Sequence, residues 1–413
     1  MGLDADETLS PSQLEKASLL GTVLSSFPQA HQATKTLLET VLGIKRIERL
    51  TERIGTERVA QRDAETKAWE SLPLVKRDSA PEGIRAPQVA SIMPDGGRLQ
   101  LCTANDESST HWHEYKAGCL SELHSERCEE DPCPELPPLF LARERIETLT
   151  HEIGQKAADE EPSATATTVQ AEALCPAADE NSSPRYEPPE VLSKDVIATR
   201  RNSKEFGKML AARAWSLGMF ASSRKAYVGD GSSWLWTIWE QHFKPFGFTA
   251  ILDIIHALTY VFAAATAGRS RDQGWDIYVR WIRWIWEGEV TQVISELAAR
   301  QQELGPPTDE DGPTSVRRIV SEALTYLQNQ SSRMNYPEHR KAGLPITSSH
   351  IESTVKLLNH RVKGTEKFWS ERGAEALLQL KADTLSNTGH WHAFRHARPQ
   401  RMTGTRTYAG SKA

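Results

Sequence analysis

The spacing of apolar residues divides the chain into segments with different periods. Over residues 32–59, "QATKTLLETVLGIKRIERLTERIGTERV", apolar positions recur at helical spacing and break at Gly43. Leu37, Leu38, Val41 and Leu42 fall on one side of the break, and Ile44, Ile47, Leu50 and Ile54 on the other. This predicts an all-helical region over 1–80 with two short helices around a glycine turn. The second helix carries Lys45, Arg46, Arg49 and Arg53, as the reading helix of a helix-turn-helix would. A helical hairpin with a solvated basic face fits the same pattern. The period then drops towards two. "PQVASIMPDGGRLQLCTA" (87–104) reads as strand, glycine turn and strand, and "HWHEYKAGCL" (111–120) as a third strand.

A helix follows over 137–158. Residues 159–190, rich in Ala, Thr, Ser, Glu and Pro, have little to bury and read as a disordered acidic linker. Beyond it the expectations are a helix over 203–218, a strand over 225–231, a Trp-rich helix over 233–243 and a strand over 249–252. The apolar run 250–268 is almost long enough to span a bilayer, but Asp253 and His256 make it a buried strand followed by a buried helix. Helices over 272–304 and 315–335 flank an acidic Pro/Gly loop, and a last amphipathic helix starts near Ser349. Trp275, Trp281, Trp284 and Trp286 sit at helical spacing and read as core, with base stacking as the other use. The tail 390–413 is basic and expected to fray.

Composition adds little. The 413 residues carry a net charge of −6, too mild to announce nucleic acid. The charge is uneven, however: from residue 340 onward there are 13 Lys/Arg against 5 Asp/Glu, with five histidines. Five cysteines and no targeting pattern point to a reducing cytoplasm and no membrane span. "CEEDPC" (128–133) has the spacing of half a zinc site, but no second pair follows it, so a structural metal is not expected there.

The order of elements is that of a ribonuclease H-like α/β fold: core segments over 81–158 and 191–257, a helical insertion over 258–341, and the last helix within 342–389. In that fold the fourth strand lies beside the first. Asp95 and Asp230 end those two strands and would stand side by side. Carboxylates converging on two Mg²⁺ ions about 3.5–4 Å apart are what metal-dependent phosphoryl transfer needs. "PDGG" and "GDG" are also ordinary turn signals. Glu352, three residues after Ser349, forms a capping-box pattern, and it also lies at the edge of a core stripe of Ile351, Val355, Leu358 and Val362. Lys356, Asn359 and Lys363 continue that edge, as phosphate contacts or as a solvated face.

Four blocks together resemble a DDE transposase of a bacterial insertion sequence, of the Kra-type group related to Mutator. They are "VASIMPDGGRLQL" with "HWHEYKAG"; "YVGDGSSWLW"; "ILDIIHAL"; and "GLPITSSHIESTVKLLNHRVKGTEKFWSERGAEALLQLKA". The resemblance implies Asp95, Asp230 and Glu352 as catalytic acids on two Mg²⁺ or Mn²⁺ ions. It implies Asp253 and His256, the family's Asp-x-x-His, as supporting residues. The expected activity is cleavage at element ends and strand transfer into target DNA. The expected partners are double-stranded DNA and further copies of the chain at the nucleoid. Lys356, Arg361, Lys363, Lys45, Arg46 and Arg49 are the expected phosphate contacts. Family members often begin with a longer, cysteine-bearing region, and the acidic insertion is unusual. Alternatives are a shortened or degenerate copy that only binds DNA, and a metal-dependent nuclease that does not join.

Overall fold

The computed structural model describes residues 9–39, 41–102, 111–158 and 186–402; of the linker expected over 159–190, residues 159–185 lie outside them, as does the end of the tail, while Tyr186 is buried and Glu190 begins a strand. Among the described residues the chain is mixed α/β. A six-stranded sheet has the order β3-β2-β1-β4-β5, with a short β6 beside the end of β1. The strands are β1 (Val89–Leu101), β2 (Trp112–His124), β3 (Glu190–Thr199), β4 (Arg224–Gly229), β5 (Thr249–Leu252) and β6 (Phe368–Trp369). β1 is antiparallel to β2, and β2 to β3. β4 is parallel to both β1 and β5.

Two strand expectations change. Residues 87–104 do not form a hairpin: Pro94 to Gly97 stay extended within β1 and pair with β2, Asp95 opposite Ala117 and Gly97 opposite Tyr115. Gly97 serves close packing here, since a Cβ on it would lie 2.3 Å from the Tyr115 ring. The third strand is "EVLSKDVIAT", hidden in the sequence because its first half is solvated and only its last five residues are buried. Its outer edge is closed by Ser386 and Asn387, which pair with the backbone of Val196 and Lys194.

Helices cover both faces. α13 (Ser349–Val362) lies on the face shared by Tyr115, whose hydroxyl donates to Asn359 Oδ1 at 2.8 Å. On the opposite face, Phe206 and Leu210 of α6 (Ser203–Ser216) pack under Gly118, and α7 (Ser233–His242) packs under Gly229. After α8 (Ile254–Thr266) the helical block consists of α9 (Arg271–Trp286), α10 (Val290–Leu304), α11 (Val316–Gln330) and α12 (Tyr336–Lys341). Trp281 and Trp286 are fully buried there, their indole N–H groups on Glu296 and the Cys133 carbonyl, while Trp275 and Trp284 pack partly buried against the core. α5 (Arg143–Ala158) packs against α8.

The N-terminal helices are part of this body. α1 (Pro11–Val23) and α2 (Phe27–Leu37) precede α3 (Ile44–Glu70), a 27-residue helix where a short one is expected, and α4 (Leu74–Arg77) follows it. Leu38, Val41 and Leu42 therefore belong to the connection before α3 and not to a helix. Beyond its first turns α3 is buried along one side. Gly55 allows it to touch Ala376 of α14 (Glu371–Leu385), Arg58 pairs with Asp383 at 3.1 Å, and Arg62 reaches Glu375 and Gln379. Those buried guanidiniums fasten α3 to α14. The tail is helical to Met402 as α15 (His390–Met402), with Phe394 buried among Leu14, Ile47 and Leu380.

Cys133 is buried with its thiol on the Glu135 carbonyl, and Cys128 is exposed. Asp131 between them accepts from Nε and Nη2 of Arg340. No helix among the described residues is long and apolar enough to cross a membrane.

Candidate active site

Parallel strands in register bring three carboxylates to one sheet edge. Ile92 of β1 pairs with Tyr227 of β4, so Asp95 and Asp230, each three residues further on, come level. Gly229 pairs with Leu252 of β5, so Asp230 and Asp253, each one residue further on, come level too. The carboxyl ends of parallel strands are where open α/β sheets place their ligands. Asp95 shares its side of the sheet with Ala117 and Tyr115, the side covered by α13.

Each carboxylate is held differently. Asp95 Oδ1 accepts from Gly96 N–H at 2.7 Å, and Asp230 Oδ1 accepts from Ser232 N–H at 2.8 Å. Among the described residues, neither Oδ2 takes a hydrogen bond. Asp253 is fully buried and caps α8. Its Oδ1 accepts from Ile255 N–H, and its Oδ2 takes the Ser348 hydroxyl at 2.5 Å, the Ser348 N–H at 3.2 Å and His256 Nδ1 at 3.2 Å. Its bonding capacity is spent on positioning His256 and the start of α13.

Ser348 precedes α13, and its hydroxyl is committed to Asp253 instead of its own helix. Ser349 is already the first helical residue, so the capping box expected between Ser349 and Glu352 is absent. Glu352 lies half-buried in the first turn, its carboxylate close to His256 and Asp253: ligand atoms of these three lie within 4.8 Å of one another. Among the described residues this is the single His/Cys/Asp/Glu group tight enough to share one ion. Asp253 is a poor ligand for it, because its oxygens are already hydrogen-bonded. Asp95 and Asp230 fall outside that tight group; carboxylates bridging two ions stand wider than ligands converging on one.

The charges are strongly coupled. Burial pushes the Asp95 carboxyl up to about 7, and the neighbouring Asp230 charge adds to it; Gly96 N–H and His256 oppose the rise and Glu352 reinforces it. Burial works against a charged His256, but the hydrogen bond and charge of Asp253, helped by Asp230 and Glu352, outweigh it and raise the imidazole to about 9. Burial also works against a charged Asp253, and the bond to His256 overcomes it, so its carboxyl lies below the usual range.

The helical block braces the edge from behind. Tyr326 donates to the Asp230 carbonyl at 2.7 Å, and Gln330 donates to the Gly231 carbonyl at 3.1 Å. Gly231 has φ +101°, and the Tyr326 ring fills the place of its side chain. Tyr336 donates to the Leu252 carbonyl at 3.1 Å. Nothing in the sequence marked Ser348, Tyr326 or Gln330, because each acts on a partner distant in the chain.

The expected phosphate contacts divide. Lys356, one turn past Glu352, and Lys363, whose ammonium lies 5.7 Å from the Trp112 ring centre, are half-buried. Lys45, Arg46 and Arg49 are exposed at the start of α3, with Lys45 on Glu48 at 2.8 Å. Arg361 does not fit that role. It is buried, donates to the Gly21 carbonyl at 2.8 and 3.1 Å, and lies between the rings of Phe27 and Trp369. Its guanidinium ties α13 to the N-terminal helices.

No protein-family model matches the chain, and no curated protein matches it.

Proposed function

We propose that the chain has a ribonuclease H-like core and is a DDE-type transposase, cutting DNA at element ends and joining the new 3′-hydroxyls to target DNA. The observation carrying this reading is the level placement of Asp95 and Asp230 on neighbouring parallel strands, with Glu352 brought towards them by α13. The strand order, with β4 beside β1 and an antiparallel β1-β2-β3 unit, supports the fold assignment.

The donor set suits hard divalent cations. Among the described residues Asp95 and Asp230 each keep one oxygen free of hydrogen bonds, Glu352 adds a third carboxylate, and all-oxygen sites favour Mg²⁺ or Mn²⁺. When bound, two such ions would stabilise charge on the phosphate oxygens and assist the attacking and leaving oxygens. The protein itself does the positioning. Asp253 holds His256 protonated, and that charge offsets Asp230 and Glu352. Ser348 fixes the start of α13, and Tyr326 and Gln330 fix the backbone at 230–231, so the three acids need not reorganise on binding DNA. Lys356, Lys363, Lys45, Arg46 and Arg49 would hold phosphates, so that binding weakens steeply with salt. Two copies would bring two ends together.

The test is a strand-transfer assay with pre-cut ends and a target plasmid, in Mg²⁺ and in Mn²⁺. Wild type should join, and Asp95→Asn, Asp230→Asn and Glu352→Gln should not. Full joining by Asp95→Asn sinks the mechanism. Cleavage without joining identifies a nuclease, and binding without either identifies a DNA-binding protein.

A further inference from the structure

Two aromatic side chains among the described residues are exposed, Tyr260 and Phe368, and one of them stands beside the carboxylates. Tyr260 lies one turn after His256 on α8, so both project from the same side of the helix. Its ring stacks on Tyr326 at 3.8 Å with the planes 12° apart. Tyr326 in turn holds the Asp230 carbonyl through its hydroxyl. The ring of Tyr260 is thus set by a neighbour that is itself fixed to the candidate site. Tyr260 is still 36 % exposed although Tyr326 stacks on one face of its ring. The large tryptophans at the centre of the helical block, Trp281 and Trp286, are closed off in the core.

A flat ring held by a stacked neighbour and still open to water suits another flat, apolar face. Unpaired nucleobases are such faces, and stacking on an aromatic side chain is how proteins take them without reading sequence. We infer that Tyr260, backed by Tyr326, is a stacking platform for an unpaired nucleobase next to the phosphate that the carboxylates act on. This rests on the DNA reading above and narrows its substrate to DNA with a displaced or single-stranded base at the cut. Displacing a base beside a reacting phosphate costs unstacking energy, and the platform returns part of it. Tyr326 is the positioning residue: its ring sets Tyr260 and its hydroxyl sets Asp230.

The probe is 2-aminopurine placed in a short single-stranded tail on duplex DNA, with a blunt duplex as comparison, bound by the full chain with Ca²⁺ in place of Mg²⁺. Wild type and Tyr260→Phe should quench the probe on binding. Tyr260→Ala should lose the quenching and bind tailed DNA roughly 10- to 100-fold more weakly, with its affinity for blunt duplex unchanged. Tyr260→Trp should quench at least as well as wild type, which guards against a fold defect in the alanine variant. Unchanged quenching in Tyr260→Ala overturns the platform. So does an equal loss for tailed and blunt DNA, or a loss in Tyr260→Phe, which would assign the effect to the hydroxyl. Stacking by a wild type that never cuts leaves the platform standing while the transposase reading fails; a folded wild type that binds neither DNA overturns both.

Discussion

Removing one charge from the candidate site should make the metal-free protein more stable. Asp95 is the group to change, because burial and the Asp230 charge raise its carboxyl from the ordinary 3.8 to about 7. A group whose folded pKa exceeds its unfolded value stabilises the fold fully below the unfolded pKa. That contribution is lost as the pH rises through the folded pKa. The span from 3.8 to about 7, at ~1.36 kcal/mol per pH unit, sets a ceiling of ~4 kcal/mol. Asp95 is half-buried, and screening by water reduces this to ~1–3 kcal/mol. Asp95→Asn keeps the shape and the oxygen that accepts from Gly96 N–H, and discards the charge. In urea unfolding with a chelator present, the variant should exceed wild type by ~1–3 kcal/mol at about pH 8, and the difference should close as the pH falls towards 4. Adding Mg²⁺ should stabilise wild type and close the difference from the other direction, with little effect on the variant. A variant less stable than wild type at the higher pH without metal would refute the reasoning, since it would mean that Asp95 is a satisfied structural carboxylate.

Further outcomes follow from other parts of the fold. Ser348→Ala removes the hydroxyl on Asp253 and should cost ~1–3 kcal/mol in unfolding experiments, with strand transfer reduced because the start of α13 loosens. Arg361→Ala should destabilise by ~3 kcal/mol or more, as it leaves the buried Gly21 carbonyl without its donor and empties the space between two rings; weakened DNA binding at unchanged stability would restore its phosphate role. Gly97→Ala should cost ~1–3 kcal/mol through the Tyr115 ring, measurable as a lower thermal midpoint. Burial holds His242 and His339 down at about 4, so stability should fall as the pH drops from 6.5 towards 4; His339→Gln should flatten that decline in acid unfolding curves.

The sheet edge was legible because carboxylates at strand ends announce themselves next to glycines and short apolar runs. Asp95 and Asp230 could be placed from the order of the strands and Asp253 from the family resemblance, although Asp95 lies within a continuous strand and not at a turn. The turn reading failed there because Gly97 serves the packing of Tyr115, a contact between strands that periodicity does not encode. β3 was missed because half of it is solvated and an acidic segment precedes it. Arg361 looked like a surface cation because charge on an amphipathic helix usually faces water; only its partners, hundreds of residues away in the chain, show otherwise. Separations of 95 and 96 residues hid Ser348 and Tyr326 in the same way. A hydroxyl acting on a remote carboxylate or carbonyl leaves no local signature.

The most direct test of the central claim is a crystal soaked in Mn²⁺ and measured for anomalous scattering. The account predicts two peaks about 3.5–4 Å apart, ligated by Asp95 and Asp230 with Glu352 on one of them. A single peak on His256 and Glu352, or none near Asp95 and Asp230 at saturating Mn²⁺, would contradict it.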